Sequence, residues 1–514
     1  MKTLFSTKHL IRTAAVTLTM AGLTACDKGF QELNINPDAS TVITPAYVFT
    51  KAQLDAMNNS YYSTGVVSTG GAMQHYATYK DVPGLGDKYY FQQGGYPYDY
   101  FTSAYPSAVN ETAEVIRAVS TDPNNVNLLS VARIWRVYIF HRVTDLYGDI
   151  PYSEAAKGYT NNLFTPKYDA QSAIYADMLN ELDQAIQAFD PTKPTFGTAD
   201  LIYGGDIAKW KKFANSLMLR LGMRMTKVNA DMAKTWVQKA IAGGVITQDA
   251  DLAKINYLST GQDFNKNPYA VAMRANDYGA GDGDANTEGG KLAKTLIDAL
   301  KNTGDPRLNV IAVVWNNKVP DTTTTLQKGM PNGLLGKPAD FKTYSEPNPN
   351  TVLRYDAPVL ILTAAETNLL LAEAALRGWY TGDAAMAYAN GVSAGMRNWA
   401  LFGSGGAIAP TKISAYLTRN PFLSNGTLEA KLEQIHTQMW VSLFPDEVEV
   451  YSNWRRTGYP KLTPVNIVGN ITGGTIPRRL LYPPTEESIN NAQFSAAVAR
   501  QGANLLTTRV WWDK

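Results

Sequence analysis

The sequence predicts a mainly α-helical protein, and three observations carry that prediction. Apolar residues recur at helical spacing along most of the chain, as Ile174, Met178, Leu182, Ile186 and Phe189 do. The helical stretches follow one another as antiparallel-looking pairs of about 35–45 residues, the scale of tetratricopeptide units. Between them lie stretches rich in Gly, Asn, Asp and Pro, over 80–98, 257–290 and 315–352. Loops this long in a compact protein are usually functional or disordered. No clean repeat consensus accompanies the pairs, so helix hairpins describe them better than a regular solenoid.

Each element has a local reason. Thr44-Pro45 offers an N-cap followed by Pro at the first helical position, opening a helix through Met57. Helices are predicted next over 99–119 and 125–146. Asp169 can cap a further one that carries the Ile174–Phe189 stripe. Others are predicted over 206–228, 231–242, 358–377, 383–400, 428–444 and 486–501. Asn309 to Trp315 reads as a short strand, and Gly and Pro concentrate again over 458–484.

Composition narrows the class. The chain has 514 residues, 45% hydrophobic and 18% charged, long enough to bury a sizeable core. Its 40 Gly and 26 Pro are scattered, which indicates neither collagen nor disorder. The single cysteine, Cys26, rules out an internal disulfide and any Cys-rich metal site.

The first 25 residues differ from the rest. Lys2, Lys8 and Arg12 are basic and nothing there is acidic. An apolar stretch, 14–23, is too short to span a bilayer as a stable helix. This is the layout of a secretory signal peptide. Its end, Leu23-Thr24-Ala25-Cys26, resembles the bacterial lipobox, where cleavage before the cysteine frees the thiol for acylation. Residues 1–25 are therefore expected to be a lipoprotein signal peptide, 26–43 a lipidated tether and 44–514 the folded body. Lipid contributes about 0.8 kcal/mol per buried CH₂, and more than one chain makes the anchor stable. Of the 47 basic residues, three leave with the signal, so 44 face 45 acidic ones. The mature chain has no basic bias, and nucleic acid is not an expected partner.

No catalytic constellation emerges. Gly391-Val392-Ser393-Ala394-Gly395 matches G-x-S-x-G, but a nucleophile elbow needs a strand before it, and both flanks are helical in pattern. Close helix packing explains the small residues better. His75, His141 and His436 show no metal-ligand spacing, and His141 in an apolar helix reads as structural. Glu366 and Glu373 lie on one helical face, where an acid and base could meet. Arg377 four residues on makes a structural helix pair the simpler reading. Asp282 to Glu288 has the look of an acidic calcium loop but lacks the central Gly of an EF-hand, with Thr287 in its place, and has Ala293 at position twelve. No cofactor and no metal are expected; calcium held there by another geometry stays open beside a plain solvated turn.

Seven motifs then point one way. They are "RVTDLYGDIPYSEAAKG" at 142–158, "KYDAQSAIYADMLNELDQAI" at 167–186, "WKKFANSLMLRLGMRM" at 210–225, "DPRLNV" at 305–310, "LLLAEAALRGW" at 369–379, "WRRTGYPKL" at 454–462 and "IPRRLLYPPTEESIN" at 476–490. In this order, behind a lipobox, the chain resembles the SusD/RagB-type outer-membrane lipoproteins of Bacteroidota. The resemblance implies a single large helical domain on tetratricopeptide-like helix pairs, with loops and small strands on one side. It implies a surface-exposed lipoprotein over a SusC-type TonB-dependent transporter, binding a glycan or, in some members, a peptide, and breaking no bond. The motif residues themselves read as scaffold. Trp210, Leu217, Leu221 and Met225 form a packing face, while Arg455 and Arg456 bridge acidic groups or meet the transporter.

Ligand residues must come from the loops. Sugars offer flat C–H faces ringed by hydroxyls, so aromatic rings interleaved with planar polar groups are the pattern to seek. The chain holds 29 Tyr and 10 Trp. The densest case is His75 to Phe101, with Tyr76, Tyr79, Tyr89, Tyr90 and Tyr96 as candidates. Arg274, Asn276, Asp277 and Tyr278 join them from "RANDYGAGDGD", and Trp315 from "WNNK". Trp315→Ala or Tyr90→Ala is expected to weaken binding by about 1–3 kcal/mol without unfolding the protein. An oligopeptide lid, a membrane-tethered hydrolase and a ligand-free scaffold are the competing readings; the hydrolase lacks any acid/base or nucleophile set.

Overall fold

The computed structural model describes residues 44–80, 85–90 and 96–514. The expected signal peptide, Cys26 and the tether lie outside the described residues. The folded body, Pro45–Lys514, forms one compact unit.

α1 (Pro45–Asn58) opens on the expected proline. After Ser60, at φ 50°, the chain winds into a ten-residue π-helix, Tyr61–Gly70. Such windings are rare and concentrate at functional sites. β1 (Tyr76–Thr78) follows. The helix predicted over 99–119 is α2 (Asp99–Ala104) and α3 (Asn110–Val119), joined by a π-turn at Tyr105–Val109. Pro106 lies in that turn, where its missing N–H interrupts the α-helical ladder.

α4 (Val126–Tyr147) is buried over most of its length and runs through the core. β2 (Ile150–Pro151) pairs antiparallel with β3 (Tyr168–Asp169), which leads into α5 (Gln171–Ala188). Asp169 is not the cap of α5. Its carboxylate accepts from the Ser153 N–H at 2.7 Å, and the Gln171 N–H donates to Asp149 at 2.8 Å instead. The cap comes from across the hairpin, which sequence spacing alone does not reveal.

α6 (Ile207–Arg224) and α7 (Ala230–Gly243) are capped by Asp206 and Asn229. β4 (Ala253–Ile255), α8 (Pro268–Ala275), β5 (Gly290–Leu292) and α9 (Lys294–Thr303) follow. β6 (Ala312–Asn316) lies between β7 (Val319–Asp321) and β8 (Glu346–Pro347). The strand predicted from Asn309 starts at Ala312, because Leu308–Ile311 forms a helical turn. β9 (Val359–Leu362) pairs with β4, so the helix predicted from Pro358 begins only at α10 (Ala364–Leu376). Thr363 caps it by accepting from the Glu366 N–H. α11 (Ala384–Arg397), α12 (Pro410–Arg419), α13 (Leu428–Ser442) and α14 (Glu447–Thr457) complete the central helices. The helix predicted over 486–501 is divided at Asn490, leaving Pro484–Ile489 and α15 (Asn491–Gln501).

The fold is mainly α, with neighbouring helix pairs α1/α3, α4/α5, α6/α7, α10/α11 and α13/α14. Gly391 and Gly395 serve the α10/α11 contact and its neighbour. A Cβ at Gly391 would stand 2.7 Å from Leu369, and one at Gly395 2.6 Å from Ser442. The G-x-S-x-G match is a packing stripe.

Buried ion pairs tie the helices together. Arg220 grips Glu366 with two bonds of 2.6 Å, Arg224 meets Glu449 at 2.6 Å, and Arg456 grips Glu373 at 2.7 and 2.8 Å. Removing one partner of such a pair strands the other and costs about 3–5 kcal/mol. The family motifs are therefore scaffold. Arg455 and Arg456 are both buried, so they do not present themselves to a partner protein; Arg455 lies over the Tyr451 and Trp512 rings. His141, Asp145 and Glu449 converge, but Arg220 and Arg224 already occupy that neighbourhood.

Candidate glycan-binding cleft

An open cleft of about 730 Å³ is walled by Tyr62, Tyr96, Lys80, Asn276, Asp277, Asn286 and Glu288, with Ala275 and Gly279. Five separate segments build it. Tyr62 comes from the π-helix, and Lys80 from the end of β1. Tyr96 precedes α2. Residues 275–279 follow α8, and 286–288 precede β5.

The β1/β5 ladder explains why these segments meet. Tyr76 pairs with Leu292 and Thr78 with Gly290, so the chain leaving β1 and the chain entering β5 run side by side. Thr78 Oγ1 donates to the Gly289 carbonyl at 3.0 Å. Gly289 has φ +90°, and a Cβ there would lie 1.5 Å from the Asp277 carbonyl oxygen. Only glycine admits that approach of two backbones. Buried Lys88 donates to the Thr78 and Lys80 carbonyls at 2.6 and 3.0 Å, fixing the same strand end.

Charge then closes the wall. Lys80 Nζ sits 2.9 Å from Asp277 and 3.0 Å from Glu288. Hydrogen bonds to Asp277 and Glu288 hold the Lys80 ammonium well above its usual pKa, and the Lys80 hydrogen bond holds the Glu288 carboxyl below its own. Asn286 is anchored from below. Its N–H donates to Glu346 at 2.7 Å, and its Nδ2 donates to the Gly290 carbonyl at 3.2 Å.

Two phenol rings supply the apolar surface. Tyr62 and Tyr96 meet edge to face with centroids 6.5 Å apart. Burial raises the pKa of both, so both are neutral hydroxyls near neutral pH. The Tyr62 hydroxyl has no hydrogen-bond partner among the described residues. Tyr62 also leans on Tyr278, which packs on Tyr76, which donates to Tyr269 at 2.9 Å. The cleft rings thus stand on a ladder of tyrosines reaching into the core.

The candidates from the sequence divide accordingly. Tyr96, Asn276 and Asp277 line the cleft. Tyr76, Tyr89 and Tyr278 are 0%, 1% and 2% exposed, so their rings support the wall and do not offer a face to ligand. Tyr79 packs edge-on against Phe341. Tyr90 donates to the Val468 carbonyl at 2.9 Å. Arg274 is spent on the Leu353 and Gly281 carbonyls. Trp315 donates to Glu346 at 2.9 Å, one bond away from the cleft loop, and is not on the wall. Tyr62 and Lys80 are not among the candidates from the sequence, and Asn286 and Glu288 belong there only to the 282–288 match to a calcium loop. "NNSYY", 58–62, carried the signal of aromatics against planar amides, but it sits at a helix end where tyrosines normally pack inward.

Another crevice of about 890 Å³ is less open, and its charged lining groups already have partners. Arg142 makes two bonds of 3.0 Å to Asp446, and Tyr61 donates to the Pro445 carbonyl.

The fold is helical and built on tetratricopeptide-like pairs. The family model described as "Starch-binding associating with outer membrane" matches residues 37–483. The chain belongs to this SusD-like family. Among solved structures it is similar to a chitin-binding protein, 32% identical over 91% of this chain and 100% of the other, with TM-score 0.81. A Bacteroidetes SusD-like protein is 26% identical over 92% and 100% of the two chains, TM-score 0.81. A SusD homologue from Bacteroides uniformis is 26% identical over 91% and 99%, TM-score 0.77. No curated protein matches. Among the described residues, no helix is long and apolar enough to cross a membrane.

Proposed function

We propose that this protein is a lipid-anchored outer-membrane receptor that captures an oligo- or polysaccharide in the Tyr62/Tyr96 cleft and passes it to a SusC-type TonB-dependent transporter. The observation that carries the reading is the cleft itself. Two neutral phenols stand beside Asn276, Asp277, Lys80 and Glu288, an apolar surface with donors and acceptors at its rim. That combination suits the C–H face and hydroxyl edge of a pyranose. The similar chitin-binding protein supports a polymer of N-acetylglucosamine as the first ligand to test. Binding and release suffice for such a role, and no bond need be broken.

The anchor is Cys26 with residues 26–43 as tether, and 44–514 as the receptor body. Calorimetry of the full chain against chitin oligosaccharides, starch oligosaccharides and a panel of oligopeptides tests the reading. Saturable binding of a glycan, abolished or weakened by Tyr96→Ala, is the expected result. Peptide binding with no glycan binding would replace it with the oligopeptide alternative.

A further inference from the structure

A second cleft, of about 680 Å³, shares no wall residue with the first. It lies where the first turn of α6, the 249–256 stretch and the end of α11 meet. Its charged wall residues are Lys209, Lys254, Arg397 and Asp249, three cations to one carboxylate. Asp249 is taken by Arg397 at 2.6 Å. Two other acids lie close by, one bonded to the backbone and one in an ion pair. Asp206 caps α6 through the Lys209 N–H, and Asp251 holds Lys212 at 2.7 Å.

Two ammonium groups are thus left over. Lys254 reaches only the side-chain oxygen of Asn256, and partial burial lowers its pKa with no carboxylate to offset it. Lys209 makes no ion pair among the described residues. An independent observation marks the same place. Asn398 lines this cleft, is only 6% exposed, and its Nδ2 has no hydrogen-bond partner among the described residues. A buried amide donor is rarely left unmade without a ligand or water to meet it. A neutral sugar would not relieve two unpaired ammonium groups, whereas an oxyanion accepts from ammonium and amide donors alike and offsets the ammonium charge.

We infer that this cleft binds a phosphate or sulfate ester group through Lys209, Lys254 and Asn398. The wall carries three cations against one carboxylate, which a phosphate monoester, near −2, neutralises and a sulfate monoester, −1, half neutralises. Leu252 and Leu401, also on the wall, suit the carbon skeleton that carries the ester.

The test uses the purified full chain and four probes: glucose 6-phosphate, glucose 6-sulfate, inorganic phosphate and glucose. Calorimetry should show either ester binding at least about tenfold more tightly than glucose, with affinity falling as salt rises. Inorganic phosphate binding as well as glucose 6-phosphate would show that the anion alone is read; weaker binding would show that the sugar ester is. Lys209→Gln with Lys254→Gln should cost about tenfold or more, Lys254→Arg should retain binding, and Tyr96→Ala should leave it unchanged. Circular dichroism and the melting temperature report whether the double variant folds, and Lys254→Gln alone serves if it does not. Equal affinity for the esters and glucose, or ester binding untouched by the folded lysine variants, would overturn the inference.

Discussion

Lys80 and Asp277 are 197 residues apart in sequence, and their side chains meet at 2.9 Å. That bond, doubled by Glu288 at 3.0 Å, is where the chain after β1 is fastened to the loop after α8. Ion pairs this exposed contribute about 0–1 kcal/mol to stability. Lys80→Met should therefore leave the melting temperature nearly unchanged. It should loosen residues 276–279 and lower glycan affinity about three- to tenfold, since loop ordering is then charged to binding. Calorimetry and hydrogen exchange over that loop check this together. Unaltered affinity with a loosened loop would remove the ion pair from the binding site.

Tyr96 and Tyr278 separate contact from support. Tyr96 lines the cleft, and Tyr278 stands behind it with its ring wedged against Gly290, where a Cβ would lie 2.0 Å away. Tyr96→Ala should cost about 1–3 kcal/mol of glycan binding with little loss of stability. Tyr278→Ala should instead lower stability by about 3–5 kcal/mol, the range for emptying a buried aromatic site. Urea unfolding beside calorimetry distinguishes the two. A Tyr278→Ala variant that unfolds like wild type but no longer binds glycan would mean the ring reaches ligand in another conformation.

This contrast also shows what the sequence could and could not disclose. The Thr44-Pro45 signal located α1, and helical periodicity located α5 because Ile174, Met178 and Leu182 present an apolar stripe to the core. It overran at Pro358, where an apolar run without polar spacing forms β9 and pairs with β4. Loop composition located the right part of the chain for the cleft, yet it treated all tyrosines alike. Tyr76 and Tyr96 differ only in what folds over them, and that is decided by the β1/β5 ladder between residues more than 200 positions apart. Lys80 carries no local signal and Glu288 only that of an acidic turn, since a loop lysine and a loop glutamate are ordinary partners until the ladder brings them together.

The proposed lipid anchor has its own prediction. Cys26 is the chain's only cysteine, so acylation there is the one thiol-dependent event available. Cys26→Ser should abolish palmitate labelling and leave an unprocessed or mislocalised precursor. The folded body, beginning at Pro45, should bind ligand as before. Membrane fractionation with labelled palmitate reads the first part and calorimetry the second. Intact labelling in the Cys26→Ser protein would overturn the lipoprotein reading.

His141 supplies the pH dependence of stability. Its Nδ1–H donates to the Tyr138 carbonyl, so Nε2 is the lone-pair nitrogen, and it accepts from Arg220 at 3.3 Å. Protonating Nε2 would aim one N–H at another. Burial, followed by the charges of Arg220, Arg142 and Arg224, accordingly pushes the His141 pKa well below 6.5. His436 is lowered as well, chiefly by burial, although Glu373 opposes this. The folded chain keeps both rings neutral as pH falls through 6.5, while the unfolded chain takes up protons. Stability therefore declines from pH 7.5 towards 5.5, by up to about 1.4 kcal/mol per pH unit for each such histidine. His141→Gln removes one of these protons from the unfolded state. Urea unfolding at pH 7.5, 6.5 and 5.5 should show the variant less stable at pH 7.5 but with a shallower slope. A slope equal to that of wild type would mean that His141 is charged in the folded protein, with its Nε2–H and Arg220 forced to share Glu449, which lies 4.0 Å from one and 3.8 Å from the other.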